Sequence, residues 1–320
     1  MRKNPAGKPA TKPAAGQTSR RDTNLDHVGR IFRPPSEADS LLLQISVGCS
    51  HNKCSYCAMY EMDEQRFRIK PMATVAKDIE EAARISASGV TIRRVFLCDG
   101  DALILPYDHL VHILEFLREK IPTVRRVGIY GDARSILRKA PGELARLREL
   151  GLGIVYHGVE SGDDVVLEQV VKGSTAEEAV TAAGRLREAG LRHSVMVMLG
   201  LGGVDRSAVH AVRTAEILTA MDPPFVGALT TTVIPGTPLA RLQEEGKFTL
   251  PDRWGLLEEL RVFVRDSRFS RCRFHSNHAS NYLPLSLNLP ADRDKALAAL
   301  DHVLATRNEN SLRPDFLRGL

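Results

Sequence analysis

Between residues 41 and 265, six short apolar runs alternate with stretches of helical spacing, and that alternation leaves few folds open. The runs are LLLQISV (41–47), IRRVFL (92–97), VRRVGIY (124–130), LGIVYHG (152–158), RHSVMVML (192–199) and FVGALTTTV (225–233). Each is rich in residues that favour a pleated, buried surface. Between them, Val75, Ile79, Ala82 and Ile85 recur on one helical face. So do Leu110, Ile113, Leu114 and Leu117, and then Leu144, Leu147 and Leu150. Thr175 and Glu178 form a capping box for a helix that ends near Gly190. Further helical spacing falls at 206–220, 253–265 and 291–306.

Strands alternating with helices predict an α/β fold with a parallel sheet and right-handed crossovers. A doubly wound sheet and a barrel both fit that order. A complete eight-unit barrel typically needs about 250 residues. Six units with long loops in roughly 230 residues predict a partial (β/α)6 TIM-like barrel. The expected organisation is a basic tail over 1–30, the partial barrel over 31–265 and a short C-terminal extension over 266–320. In either architecture the ligand site belongs at the C-terminal ends of the strands.

The cysteines obey that rule. Of five, at 49, 54, 57, 98 and 272, three crowd into the segment Gly48-Cys49-Ser50-His51-Asn52-Lys53-Cys54-Ser55-Tyr56-Cys57, directly after the first run. An odd, clustered set argues against a disulfide framework and for a metal or redox site. A [4Fe–4S] cluster held by three thiolates keeps one iron open to a small molecule. A zinc ion held by the three cysteines and His51 is the competing reading. Cys98 and Cys272 stand alone and read first as small buried hydrophobes, with a radical relay or hydrogen donor as the alternative.

Charge says less than it first suggests. The net +5 rests on Arg2, Lys3, Lys8, Lys12, Arg20 and Arg21; without these six charges the remainder is about −1. A solvated extension explains such a tail, and contact with nucleic acid is the alternative. No apolar run is long enough to span a bilayer, and no secretory signal follows the basic N-terminus, so a cytoplasmic protein is expected.

The chain resembles the radical S-adenosylmethionine (SAM) superfamily over most of residues 40–240. Its loop matches the family's Cys-x3-Cys-x2-Cys signature in the Cys54/Cys57 spacing and in the aromatic Tyr56, and departs from it in having four residues between Cys49 and Cys54. Gly158-Val159-Glu160-Ser161-Gly162, Leu167, Lys172-Gly173 and Thr175 are similar to the fourth-strand region of a branch. That branch holds oxygen-independent coproporphyrinogen oxidases, tRNA methylthiotransferases and the elongator catalytic subunit. Pro235-Gly236-Thr237-Pro238-Leu239 is similar to the turn after their sixth strand.

The resemblance implies a [4Fe–4S] cluster on Cys49, Cys54 and Cys57, and SAM on the open iron. It also implies reductive cleavage to a 5′-deoxyadenosyl radical, a reductant such as flavodoxin or ferredoxin, and a substrate that it does not name. Tyr56, Asp99, Gly100, Asp101, Glu160 and Ser161 fall where the family contacts SAM. An acidic group at Asp101 suits the SAM ammonium, with a plain Asp-Gly turn as the alternative, and Glu160 suits the ribose diol, with a rim salt bridge as the alternative. Arg134 suits a carboxylate or a plain ion pair. The glycines of Leu199-Gly200-Leu201-Gly202-Gly203 allow close backbone approach. The stretch from Phe274 to Leu285, with His275, Asn277, His278, Asn281 and Tyr282, reads as a substrate lid, an added metal ligand or a hydrogen-bonded cap. The competing functions are a zinc- or cluster-bearing binding protein, and a haem or cluster chaperone without radical catalysis. No second three-cysteine cluster is evident, which gives methylthiotransfer little support.

Overall fold

The structure, a computed structural model, describes residues 24–60 and 63–319; the basic segment over residues 1–21 lies outside them. Its main sheet has eight strands: β1 (Leu41–Gln44), β2 (Arg94–Cys98), β3 (Arg126–Tyr130), β4 (Leu152–Glu160), β5 (Arg192–Leu199), β6 (Phe225–Thr230), β7 (Cys272–His275) and β8 (Ser286–Leu289). Spatial order follows sequence order from β1 to β8. β1 to β7 are parallel, and β8 returns antiparallel to β7. A doubly wound sheet reverses its strand order part-way. This one does not, so the sheet is wound in one direction as an open, partial barrel. The sheet also continues past the six expected units, because β7 and β8 extend the same ladder.

The connecting helices are α1 (Met72–Ala87), α2 (Tyr107–Lys120), α3 (Pro141–Glu149), α4 (Ala176–Glu188), α5 (Gly203–Met221), α6 (Arg253–Asp266) and α7 (Arg293–Thr306). Their apolar stripes lie where the spacing puts them. α2 buries Leu110, Ile113, Leu114 and Leu117, each worth roughly 1.5–3 kcal/mol of burial. The Thr175–Glu178 capping box is formed at the start of α4.

Alternate strand residues separate two surfaces. Val95, Leu97, Val127, Ile129 and Val155 face the helices in one large core, and Val195, Val197, Val226 and Phe274 do so in a second. Phe96, Cys98, Ile154 and Tyr156 form a smaller inner cluster joined by Ile31, Tyr130, Met196 and Phe225. Residues from β2 and β6 meet there only because the sheet curves. The end where the strands begin is closed by a turn at Pro35–Glu37. The buried Glu37 carboxylate accepts from Arg126 Nη2 at 2.5 Å and Tyr156 Oη at 2.5 Å. No helix among the described residues is long and apolar enough to cross a membrane.

Candidate functional site

The opposite end, where the strands finish, carries the cysteine loop. After Gln44 the chain leaves the sheet, and Ser46–Val47 pairs antiparallel with Arg68–Ile69 to close the base of the loop. Gly48 lies there at φ +77°, and a Cβ on it would stand 2.1 Å from the Gln65 carbonyl oxygen. Only glycine meets both conditions.

Cys49, Cys54 and Cys57 are free and half-buried. Burial pushes all three thiols up, Cys57 to about 11, and the Lys172 charge pulls Cys49 and Cys54 partly back. The loop is pinned from several directions. Ser55 N donates to Val170 O at 2.9 Å, and Leu239 N donates to Ser55 O at 2.9 Å. The Pro235–Leu239 turn is therefore a strut against the loop. His51 Nε2 donates to Val171 O at 2.6 Å, and Arg134 Nη1 donates to His51 Nδ1 at 2.9 Å. Arg134 is itself held by Asp132.

The acidic residues after β2 are also inward braces. Asp99 is fully buried and accepts from Gln44 Nε2 at 2.7 Å, Gly48 N at 3.1 Å and Tyr60 Oη at 3.4 Å. Asp101 accepts from Ser50 Oγ at 2.6 Å, Ser135 Oγ at 2.5 Å and Asp132 N at 3.3 Å. Burial raises both carboxyls to about 6, with the Asp132 charge adding to the effect at Asp101. Gly100 between them lets the two loops touch, since a Cβ there would lie 2.8 Å from both Cys49 Cβ and the Tyr60 ring.

Glu160 ends β4 in a left-handed conformation, φ +70°, beside a register shift between Gly158 and Glu160. Such a backbone is uncommon for a residue with a side chain and accumulates at functional positions. Its carboxylate accepts from Lys172 Nζ at 3.2 Å. Burial alone would push the Lys172 ammonium down; Glu160, Cys54 and Asp132 together hold it above the ordinary lysine range. Tyr56 packs beside Val166, Val170 and Leu201, and burial holds its phenol well above its usual value. Ser161 is buried, and its Oγ lies 2.7 Å from His210 Nδ1, which ties the end of β4 to α5.

Other candidates lie apart from the loop or are tied into the scaffold. Cys98 is buried in the inner cluster and Cys272 in the outer core. Gly200 N donates to Glu259 Oε2 at 2.6 Å, so that glycine segment is tied to α6 just before α5 begins. In the 274–285 stretch, Asn281 Nδ2 donates to Ala228 O at 2.7 Å and Ser276 O at 2.8 Å, while Thr230 Oγ1 donates to Asn281 Oδ1 at 2.8 Å. These bonds fasten the stretch onto the end of β6. The sequence reading gave no role to Lys172, Ser50 or Ser135. For Lys172 the available signal was a lysine closely following Glu160.

The donor set suits a cluster better than one ion. Among the described residues, no three His, Cys, Asp or Glu side chains converge closely enough to hold a single metal ion. Three thiolates that each bind a different iron stand further apart than the ligands of one ion. Both nitrogens of His51, the fourth donor a zinc site would need, are already engaged.

The sequence profile of the Radical SAM superfamily matches residues 43–215, and the chain belongs to that superfamily. Members use a [4Fe–4S] cluster and SAM, and its homologues are enzymes. The chain is 25% identical over 287 residues to the biotin synthase of Dechloromonas aromatica (strain RCB), covering 84% of this chain and 83% of that one. Among solved structures it is similar in fold to the cobalamin- and [4Fe–4S]-bound radical SAM methyltransferase TsrM from Kitasatospora setae (TM-score 0.53, 18% identity). That match covers 66% of this chain and 41% of the other. It is similar also to coproporphyrinogen III oxidase (HemN) from Escherichia coli (TM-score 0.51, 18% identity), covering 70% of this chain and 52% of that one.

Proposed function

We propose that this protein is a radical SAM enzyme that binds one [4Fe–4S] cluster through Cys49, Cys54 and Cys57 and cleaves SAM reductively to begin a radical reaction. The observation that carries the reading is the cysteine loop itself: three thiols at the C-terminal end of β1, no fourth cysteine beside them, and a neighbouring histidine whose nitrogens are both taken. The bound cluster would supply one electron to the SAM sulfonium, releasing methionine and a 5′-deoxyadenosyl radical.

The chain's own residues do the holding. Asp99 braces the loop against β1 and Asp101 braces it against the segment that follows β3, while Arg134 and His51 fix its outer side. Glu160 would accept from a ribose diol, and Lys172, donating to that carboxylate, orients it. Tyr56 packs with the apolar residues Val166, Val170 and Leu201 and anchors the end of the loop beside the last cysteine. A small electron-transfer protein such as a flavodoxin or ferredoxin would serve as the reductant.

The test is anaerobic reconstitution with iron and sulfide, followed by dithionite and SAM. Wild-type protein is expected to form 5′-deoxyadenosine. Cys54→Ala is expected to lose the cluster's visible absorbance and the product together. A Cys54→Ala protein that keeps a full cluster would remove the ligand assignment, and a wild-type protein that takes up zinc alone would remove the function.

A further inference from the structure

The register of β4 to β8 sets two rows of residues side by side. One runs Gly158, Met196, Gly227, His275, Ser286; the row nearer the strand starts runs Tyr156, Ser194, Phe225, Arg273, Asn288. Directly paired residues send their side chains to the same face of a sheet. Tyr156, Met196 and Phe225 pack on the inner cluster, whereas Cys272, Phe274, Leu287 and Leu289 pack on the outer core. Arg273, His275, Ser286 and Asn288 therefore lie on the inner face at the open edge of the sheet, His275 half-buried and the other three exposed.

The first row has room in it. At Gly227 an added Cβ would meet nothing nearer than Leu229 Cδ1 at 3.9 Å, so a recess lies between Met196 and His275. At one end of the row Glu160 folds over Gly158, where a Cβ would stand 2.2 Å from Glu160 Oε1. At the other end His275 Nδ1 lies 3.2 Å from Ser286 Oγ. Arg273 makes no side-chain hydrogen bond or ion pair among the described residues. The carboxylate touching this wall, Asp292, instead accepts from the Asn288 backbone N at 2.7 Å and Nδ2 at 3.3 Å. Burial and the Arg273 charge push the His275 imidazole below its usual value, so near neutral pH the wall's cation is Arg273.

An unpaired guanidinium beside an imidazole and a hydroxyl is a donor set that recognises a carboxylate or phosphate. We propose that the substrate carries such an anionic group, held by Arg273 with His275 and Ser286 beside it, and that its body crosses the recess at Gly227 toward Glu160. The inference rests on reading the cysteine loop as the reactive end of the barrel.

The experiment titrates the reconstituted full chain, anaerobically, with inorganic phosphate and separately with glutarate, by calorimetry. It compares wild type with Arg273→Gln, Arg273→Lys and the surface control Arg118→Gln. Saturable binding of at least one probe is expected. Affinity should fall at least tenfold in Arg273→Gln, fall less in Arg273→Lys and hold in Arg118→Gln. The probe that binds identifies the anion. Absence of saturable binding by either probe, or equal affinity in wild type and Arg273→Gln, overturns the proposal. Because binding is read without SAM turnover, failure here is distinct from failure to form 5′-deoxyadenosine, which would instead sink the reading of the cysteine loop.

Discussion

Gly100 shows how narrow the tolerances are around the cysteine loop. The atoms that an added methyl would strike, Cys49 Cβ and the buried Tyr60 ring, are not the ends of flexible side chains. Overpacking of this kind costs typically 1–3 kcal/mol, and here the strain falls on a candidate cluster ligand. Gly100→Ala is expected to lower the iron bound per chain after reconstitution while leaving the far-ultraviolet circular dichroism unchanged. Wild-type iron content and wild-type stability together would show that the two loops have slack. At this scale the sequence was partly legible. Three cysteines within nine residues announce a site by themselves, because ligand spacing is a local property. The brace on Asp101 is not local: Ser50 and Ser135 come from 51 and 34 residues away, and no spacing rule connects them.

At the scale of elements, β4 and β5 conceal a pair of titratable groups beneath the helices. His157 Nδ1 and His193 Nε2 are 3.1 Å apart in nearly parallel rings, and both residues are buried. Burial pushes both imidazoles down, aided at His157 by His193 and Lys172 and at His193 by Arg187; His193 falls to about 3. Their folded values lie below the unfolded 6.5, so the folded chain binds fewer protons than the unfolded one. The stability they contribute is whole above pH 6.5 and is lost as pH falls from 6.5 toward 3. Glu259 works in the opposite sense. Burial raises it from 4.5 to about 7, so its contribution is present below 4.5 and lost as pH rises through 7. Comparison with a double variant isolates the histidines. From pH 7 to pH 5 the wild type should lose roughly 2 kcal/mol more than His157→Leu/His193→Leu on account of His193, with His157 adding in the same direction, read from urea denaturation. Identical pH dependence would show that the imidazoles are hydrated in the folded chain. The long elements around this pair were legible because periodicity and the Thr175 cap are local signals. β7 and β8 were not. Each has four residues, and they carry inward polar groups where a buried strand would show an apolar run.

For the whole molecule, winding direction decides where a ligand can lie, and alternation alone leaves it open. What the structure adds is a strand order without reversal, giving one continuous inner face with the cysteine loop at one end and Glu37 at the other. A single N-terminal segment reaches both ends. Val28 N donates to Gln44 Oε1 at 2.8 Å, Phe32 meets Tyr60 edge-on, and Glu37 pairs with Arg126. Glu37 is fully buried while Arg126 keeps about a fifth of its side chain exposed, so removing the acid leaves a cation with only partial access to water. Breaking a buried pair by deleting one partner costs about 3–5 kcal/mol, and the exposure of Arg126 favours the lower end of that range. Glu37→Leu is therefore expected to lose about 3 kcal/mol of stability in chemical denaturation. Glu37→Gln, which can still accept from Tyr156, should lose less. If Glu37→Leu unfolds at the wild-type midpoint, the turn at Pro35–Glu37 only rests against the barrel, and the inner face is closed at that end by Phe96 and Tyr156 alone.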